Sequence, residues 1–348
     1  MKVLFLFWDL TIFDRYHEQI KLIAEFCENF NIVYFKGTPK QEWLPYYDFV
    51  RVTQPTGKNR YARWLGSLQN MFEEIKQLDI DLIYVLSGIW FQVAAVVFSK
   101  GFDVPTIVRL RGNDIEAGYS LRSLPNRLIY HLLYFNSFPL HDMIIPINEN
   151  ILEVTDFYRV KNQNISMVVP NGVDLSQYNP VYNKNPVPVF GFIGRLSPEK
   201  GADIFIELAT QLDDLQFVFA GWDNGLQLPV NVVNMGVLRK DQVHGFYDAI
   251  DFVLMPSKTE AFPNVILEAY ASGKQIIINR ETMPEWVKLF GYSVRVNKLF
   301  YWRYIVEKVA YMKNQASRDS RTYAEDVFSW AGYQKSMKEI FYGVLNNE

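Results

Sequence analysis

Residues 256–269 have the sequence PSKTEAFPNVILEA and show which fold this chain adopts. The mainly apolar run before them, at 250–255, predicts a buried β-strand. The run at 264–272 predicts a helix that ends at Gly273. A strand followed by a short loop and a helix is the repeating unit of an α/β protein.

Two glutamates lie within this stretch. Glu260 lies on the loop at the carboxyl end of the predicted strand, and Glu268 lies about one turn inside the helix. Ligands of open α/β sheets bind at this edge, and the first backbone N–H groups of the helix, at residues 262–265, favour an anion. The pattern therefore indicates a ligand site, with one carboxylate at the loop and the other near a neighbouring hydroxyl group. The alternative is a strand, a loop and an amphipathic helix that carry two incidental glutamates.

Strand and helix patterns alternate along the chain, which is typical of doubly wound parallel sheets. The first series predicts strands near 2–7, 31–35, 82–86, 105–110, 143–147 and 166–169, and helices near 14–29, 60–78, 90–100, 121–135 and 149–158. A second series begins after residues 183–188, NKNPVP, whose composition is that of a linker. It predicts strands near 188–193, 215–220, 231–234, 252–255 and 275–278, helices near 201–212, 240–248, 264–272 and 301–314, and an aromatic-rich last helix near 324–346.

A second candidate element opens this second series. Residues 191–201 have the sequence GFIGRLSPEKG, a strand that ends in a glycine and a cation before a helix begins. Gly194 permits close backbone approach, Arg195 can bind two phosphate oxygens at once, and Lys200 adds a point charge. These residue types suit a diphosphate. The alternative for an isolated arginine and lysine at this spacing is a surface loop held by ion pairs.

Both elements resemble motifs of the retaining glycosyltransferases of family 4, which have the GT-B fold. The first resembles their E-x7-E element and the second their GR-L-x-P-E-K-G element. Three further segments resemble the family in order and spacing: VVPNGVD at 168–174, FVFAG at 217–221 and MGVL at 235–238. The first of these is expected to be mainly structural, since Asn-Gly favours turns. The resemblance is almost continuous over residues 168–287.

The resemblance implies an α/β protein of two Rossmann-like, doubly wound domains with a cleft between them. Residues 1–183 would form the acceptor-side domain and residues 184–323 the nucleotide-sugar donor domain. Residues 324–348 would form a helix that crosses back to the first domain. A chain of 348 residues is also longer than one core usually organises.

The resemblance also implies roles toward a nucleotide-diphosphate sugar, which is a co-substrate. Arg195, Lys200 and Glu260 are the catalytic candidates: the two cations bind the diphosphate, and Glu260 holds the donor sugar or phosphate. Glu268 binds the ribose hydroxyls, and the sugar is transferred with retained configuration. The donor-binding candidates are Gly194, Arg195, Lys200, Leu238, Glu260, Phe262, Pro263, Asn264, Val265 and Glu268. No metal ion or other cofactor is expected, because the four scattered histidines have no ligand spacing and the family binds its donor without a metal.

The first half of the chain departs from the family at two places. Residues 109–114, RLRGND, stand where the family commonly has HG-x-D, so Arg111 and Asp114 are candidate sugar or acceptor contacts. Arginine cannot exchange a proton near neutral pH, and Asp114 could equally cap a helix. Residues 8–14, WDLTIFD, contain no glycine where many relatives have a glycine-rich loop.

The acceptor is expected to be a glycan, a lipid or another hydroxyl compound. Residues 51–64 carry four cations, no acid and two aromatic residues, and their proline and glycine predict a loop that runs into a helix. These cations could face a phosphate-bearing acceptor or a membrane surface, with Tyr61 or Trp64 packing on it. The alternative is a solvated basic loop.

Composition narrows the class of protein and its location. The chain is 49% hydrophobic and 21% charged with a net charge of −3, so it is an ordinary globular protein with no support for a nucleic-acid partner. The single Cys27 cannot form an internal disulfide, which favours a cytoplasmic setting, with peripheral contact at the inner membrane face as a further expectation. Residues 82–99 carry no charge, but Ser87, Gly88 and Gln92 interrupt them and indicate a strand and a helix.

Two rival functions have the same fold. One is a GT-B nucleotide-sugar epimerase, which would turn over donor without acceptor. The other is a catalytically weak binding subunit of a glycan pathway. An NAD-dependent dehydrogenase is disfavoured, since no G-x-G-x-x-G follows a strand. The sequence leaves the base, the sugar, the acceptor and the linkage open.

Overall fold

The computed structural model describes residues 1–55, 60–86, 88–111, 124–149, 151–153, 167–180, 187–258, 260, 262–281, 283, 287, 291–294, 298–311 and 318–346. They form two compact units. The first consists of Met1–Pro170 and Tyr333–Glu348, and the second of Asn171–Gly332. The boundary between the two units therefore lies near residue 170, whereas the sequence predicted a domain boundary at 183. The predicted linker at 183–188 lies mostly outside the described residues.

The first unit contains a parallel sheet of six strands in the order β3-β2-β1-β4-β5-β6. The strands are β1 (Lys2–Leu6), β2 (Asn29–Tyr34), β3 (Asp48–Arg51), β4 (Leu82–Leu86), β5 (Thr106–Leu110) and β6 (Met143–Pro146). The helices are α1 (His17–Ala24), α2 (Arg60–Ile75), α3 (Ile89–Phe102) and α4 (Leu124–Ser137).

The central strands of this sheet are covered on both faces, which explains their almost unbroken apolar sequences. Alternate residues of β1 enter different cores: Val3 and Phe5 pack on one face, and Leu4 and Leu6 on the other. All five residues of β4 are buried. The predicted boundary between β4 and α3 agrees with the structure. Among the described residues, no helix is long and apolar enough to cross a membrane.

The second unit contains another parallel sheet, in the order β12-β11-β10-β7-β8-β9. Its strands are β7 (Val189–Ile193), β8 (Gln216–Ala220), β9 (Val232–Asn234), β10 (Phe252–Met255), β11 (Gln275–Asn279) and β12 (Gly291–Val294). Its helices are α5 (Ala202–Gln211), α6 (Val243–Ala249), α7 (Asn264–Ala271), α8 (Leu299–Tyr311) and α9 (Arg318–Val327). The prediction of two doubly wound parallel sheets is confirmed.

The last helix, α10 (Trp330–Asn346), contributes to the core of the first unit. Its buried residues are Tyr333, Met337, Ile340 and Phe341. The sequence predicted one helix over 324–346, but the chain breaks between α9 and α10. Near this break the backbone N–H of Val173 donates to the carbonyl of Phe328 at 2.7 Å. This hydrogen bond ties the segment between the two helices to the first residues of the second unit.

The structure differs from the sequence analysis at three places: two edge strands were not predicted, and one predicted strand is not formed. The sequence analysis did not predict β3 or β12, because both are four-residue edge strands with little buried surface. The strand predicted at 166–169 is not formed by its described residues, 167–169. Val169 instead donates its N–H to the carbonyl of Pro146 at 3.0 Å, beyond the end of β6.

Candidate functional site

A cavity of about 190 Å³ opens at the carboxyl ends of β7 and β10. These strands are neighbours in the sheet, but the chain passes from β7 through β8 and β9 before it returns as β10. The cavity therefore lies at the point where the strand order reverses, which is the usual ligand site of such sheets. Seven of the donor-binding candidates line it: Gly194, Lys200, Glu260, Phe262, Pro263, Asn264 and Val265.

Two glycines allow the backbone to close tightly at this edge. Gly194 has a φ of 141° and donates its N–H to the carbonyl of Ala220 at 2.8 Å. A Cβ atom on Gly221, whose φ is 137°, would lie 1.9 Å from the carbonyl oxygen of Gly194. A side chain at position 221 is thus sterically excluded. This explains why a glycine follows β8 at the place where the sequence resembles the family.

Lys200 and Glu260 form an ion pair at the wall of the cavity. The ammonium Nζ of Lys200 donates to Oε1 of Glu260 at 2.6 Å, and the two side chains are 27% and 10% exposed. Lys200 is positioned by a short 3-10 helix, Pro198–Lys200, that ends at Gly201 with a φ of 77°. The sequence predicted separate ligand contacts for the two residues, and the structure adds that they hold each other.

Arg195 lies beside the cavity without lining it. It follows Gly194 directly, at the end of β7, and its side chain is exposed. Its carbonyl accepts a hydrogen bond from the N–H of Ser197 at 2.9 Å, which helps to hold its backbone in place. The contact of Arg195 with a diphosphate stays a prediction.

The amino-terminal end of α7 forms another wall. Pro263 is its N-cap and supplies no side-chain hydrogen bond to the helix. The Nδ2 group of Asn171 donates to Oδ1 of Asn264 at 3.1 Å, and Asn171 is 3% exposed. The sequence analysis assigned the segment containing Asn171 a turn role only. Its contact with the cavity wall links residues 93 positions apart and has no local signal in the sequence.

Glu268 lies one turn further along α7, outside the lining of the cavity. Burial raises the pKa of its carboxyl group to about 7, although a hydrogen bond from Tyr247 and the charge of Lys240 oppose this shift. The hydroxyl of Tyr247 donates to Oε2 of Glu268 at 2.8 Å. Tyr247, on α6, was also missed by the sequence analysis, because its motif resembles an ordinary apolar helix face.

Leu238 and Arg111 have different surroundings. Leu238 is half-buried and packs against the core of the second unit, and it does not line the cavity. Arg111 follows β5 in the first unit, and its guanidinium carbon lies 4.6 Å from the ring centre of Tyr16. Burial lowers the pKa of Arg111, and the charge of Arg109 lowers it further. Asp114 lies outside the described residues. The ligand contacts that the sequence predicted for Leu238, Arg111 and Asp114 stay predictions.

The described part of the chain contains no group of three histidine, cysteine, aspartate or glutamate residues that could hold a metal ion. The independence of donor binding from metal stays a prediction.

Comparison with protein families finds a match to part of the second unit. The family described as glycosyl transferases, group 1, matches residues 187–297, which contain the cavity and its ion pair. This part of the chain resembles the group 1 glycosyltransferases.

A curated glycosyltransferase is also similar to this chain. The chain is 27% identical over 238 residues to an N,N'-diacetylbacillosaminyl-diphospho-undecaprenol alpha-1,3-N-acetylgalactosaminyltransferase of Campylobacter jejuni. The match covers 61% of this chain and 63% of the relative, so it spans less than two thirds of the relative's length.

Solved structures show that the fold of this chain is GT-B. A sucrose-phosphate synthase from Thermosynechococcus elongatus matches with a TM-score of 0.77 over 100% of both chains, at 14% identity. HepE of Anabaena, in complex with UDP, matches with a TM-score of 0.74 over 99% of this chain and 100% of that one, at 16% identity. At these identities the likeness concerns the fold alone.

Proposed function

We propose that this protein transfers a sugar from a nucleoside-diphosphate sugar to a hydroxyl group of a glycan or lipid-linked acceptor, with retained configuration. The observation that carries the proposal is the Lys200–Glu260 pair beside the amino-terminal end of α7, at the strand-order reversal of the second sheet. A lysine and a helix start that converge on one cavity suit a diphosphate.

The names of two similar proteins support the choice of substrates. The name of the Campylobacter jejuni relative states that it acts on a sugar linked to diphospho-undecaprenol. The Anabaena structure contains UDP. A uridine-containing donor and a lipid-linked acceptor are therefore the first compounds to test with this protein.

The proposed chemistry is electrostatic. Breaking the anomeric C–O bond places negative charge on the leaving diphosphate, and fixed donors stabilise that charge without rearranging. The ammonium of Lys200 has further hydrogens besides the one that Glu260 accepts, and Glu260 keeps the ammonium in place. Each charged hydrogen bond contributes about 1.5–3 kcal/mol, which is about one to two decades in rate when it forms chiefly in the transition state.

Arg195 and Glu260 complete the proposed set. Arg195, exposed next to Gly194, would reach the phosphates from outside the cavity. Glu260 would hold a hydroxyl of the donor sugar with the carboxylate oxygen that Lys200 leaves available. Glu268 would bind the ribose.

The first prediction tests the lysine. Lys200→Ala should reduce kcat/KM for the donor by about 10- to 1000-fold, because one charged contact to the leaving group is lost. Lys258→Ala is the matched control, since Lys258 lies nearby and pairs with Asp203 in an exposed ion pair. Steady-state kinetics on both folded variants would decide it. Equal kinetics in the two variants would show that the diphosphate is bound elsewhere.

The second prediction concerns metal ions. Transfer activity should survive dialysis against EDTA, because Lys200 and the helix start supply the positive potential that a metal would otherwise supply. Product formation before and after chelation is the measurement. Complete loss with recovery on adding Mg²⁺ would contradict metal-independent transfer. In the same assay, donor turnover without acceptor would indicate an epimerase, and nucleotide binding without any turnover would indicate a binding subunit.

A further inference from the structure

A second and larger cavity lies at the corresponding place in the first unit. It has a volume of about 460 Å³, within the range of about 300–1,000 Å³ that is usual for small-molecule sites. Trp8 follows β1 and Gly88 follows β4, and both line it. The chain reaches β4 after passing through β2 and β3 on the other side of β1. This cavity therefore also lies where the strand order reverses.

Five aromatic side chains line this cavity: Trp8, Phe35, Trp64, Trp90 and Phe91. They form two groups. The ring centres of Trp8 and Phe35 are 4.5 Å apart, and those of Trp64 and Trp90 are 4.9 Å apart. We call this cavity the aromatic pocket.

The aromatic pocket has a buried base and an exposed mouth. Ala94 and Met71 at the base are 1% and 2% exposed, whereas Trp8 is 39% exposed. Gln54 and Arg63 are exposed lining residues. A closed core cavity would not have this gradient, so the pocket is accessible from solvent.

The polar groups of the lining are few. The hydroxyl of Ser67 donates to the carbonyl of Arg63 at 2.9 Å, so its hydrogen is already used within α2. The other polar groups in the lining belong to Gln54, Arg63 and the indole N–H groups of Trp8, Trp64 and Trp90, and of these only the Gln54 amide can accept a hydrogen bond through a side-chain oxygen. A buried hexose would need partners for most of its hydroxyl groups, since an unpaired one costs about 1–3 kcal/mol. A hydrocarbon chain needs none, and it gains about 0.8 kcal/mol for each buried methylene group.

The two reversal points of the molecule thus have opposite chemistry. In the second unit a lysine, a glutamate and a helix start surround the cavity, which suits phosphate. In the first unit the segment that follows β1, residues 8–14, begins with Trp8 and contains no glycine. A large aromatic ring therefore lines the cavity at this position. Arg63 at the exposed mouth supplies a positive charge next to this apolar lining.

We propose that the aromatic pocket binds the hydrocarbon chain of a phosphate-bearing amphiphile, with Arg63 meeting the phosphate at the mouth. The proposal rests on the proposed glycosyl transfer in one respect: the amphiphile is the lipid part of the acceptor. The same chemistry belongs to isoprenyl phosphates and to alkyl phosphates, and the experiment separates them.

The experiment measures binding without donor. Farnesyl phosphate, dodecyl phosphate and methyl phosphate are titrated into the full chain by calorimetry below their micellar concentrations. Both chain-bearing compounds should bind at least about 100-fold more tightly than methyl phosphate, because the chain supplies most of the free energy. Preference for farnesyl over dodecyl phosphate identifies an isoprenyl acceptor, and the reverse identifies an alkyl or acyl one.

Variants locate the binding. Trp64→Ala and Trp8→Ala should each weaken binding of the chain-bearing compounds by about 10-fold, since an aromatic wall is lost. Leu65→Ala is the control, because Leu65 is on the same helix, is 60% exposed and does not line the pocket. Trp8 is partly exposed, so its variant keeps the test valid even if Trp64→Ala fails to fold.

Two results would overturn the proposal: equal affinity for methyl phosphate and the chain-bearing compounds, or unchanged affinity in the folded tryptophan variants. Tighter binding of a phosphate-free glycoside than of both lipids would assign the pocket to a sugar instead. Failure of the proposed function is distinguishable, because it would appear as absent nucleotide binding or transfer while the lipid titration still succeeded.

Discussion

Glu268 accepts a hydrogen bond from Tyr247, but its burial decides the direction of its pKa shift. Because burial raises the pKa of Glu268 from its ordinary value of 4.5 to about 7, the folded protein binds a proton more tightly than the unfolded chain. The resulting contribution to stability is fully present below about 4.5 and is lost as pH rises through about 7. At neutral pH the carboxyl group is therefore only partly ionised.

The third prediction follows from this ionisation. If the carboxylate form of Glu268 accepts the ribose hydroxyls, affinity for a nucleoside should rise about 10-fold between about pH 6 and pH 8. An uncharged nucleoside is used because a terminal phosphate would titrate in the same range. Calorimetry over this pH range is the measurement.

Two variants control the pH dependence. Glu268→Gln should make nucleoside affinity independent of pH. Tyr247→Phe should move the midpoint to higher pH, since the hydrogen bond from Tyr247 lowers the pKa of the carboxyl. A wild-type affinity that does not change with pH, or the same slope in Glu268→Gln, would remove Glu268 from the ribose site.

At the scale of an element, the ends of β7 and β8 depend on two glycines in contact. The fourth prediction is that Gly221→Ala destabilises the second unit by at least about 2 kcal/mol, because the new Cβ would overlap the carbonyl oxygen of Gly194. Gly225→Ala is the matched control. Its φ of 74° is also positive, but a Cβ there has no atom within 4 Å.

Urea denaturation, followed by a probe in the second unit, would compare these variants. Both should show the cost of a positive φ, about 1–2 kcal/mol for a residue with a side chain. The steric overlap should add to this cost in Gly221→Ala, which should therefore have the lower midpoint. Equal midpoints would mean that the two strand ends can move apart without loss.

At the scale of the whole molecule, the last helix of the chain completes the core of the first unit. The ring centre of Phe341 lies 5.2 Å from that of Tyr84 on β4 and 5.7 Å from that of Phe26. Phe341 is fully buried, whereas its neighbour Tyr342 is 41% exposed. The core of the first unit therefore combines residues of α10 with residues of the segment Met1–Pro170.

The fifth prediction compares these neighbours. Phe341→Ala should destabilise the first unit by about 3–5 kcal/mol through the cavity it leaves, while Tyr342→Ala should cost less than about 1 kcal/mol. Hydrogen exchange resolved by segment should show lost protection in β1 and β4 and unchanged protection in β7 and β10. Similar loss in both units, or in both variants, would contradict this assignment of α10.

The sequence alone determined the repeating α/β architecture and much of the candidate site. Apolar runs of four to six residues between turn signals located most strands, because burial on both faces leaves an unambiguous local pattern. Gly194, Lys200 and Glu260 could be predicted to meet because each follows the carboxyl end of a parallel strand, and such ends share one edge of the sheet. These inferences need only local sequence and the geometry of a parallel sheet.

Tertiary structure alone decided the pairings between distant segments. The Lys200–Glu260 bond joins residues 60 positions apart, and the Tyr247–Glu268 bond joins residues 21 apart. Edge strands β3 and β12 form because neighbouring strands offer them hydrogen bonds, although their own sequences bury little. The aromatic pocket likewise needs four strand ends and two helices brought together by packing. No local periodicity encodes these contacts, since their free energy arises only after the chain has folded.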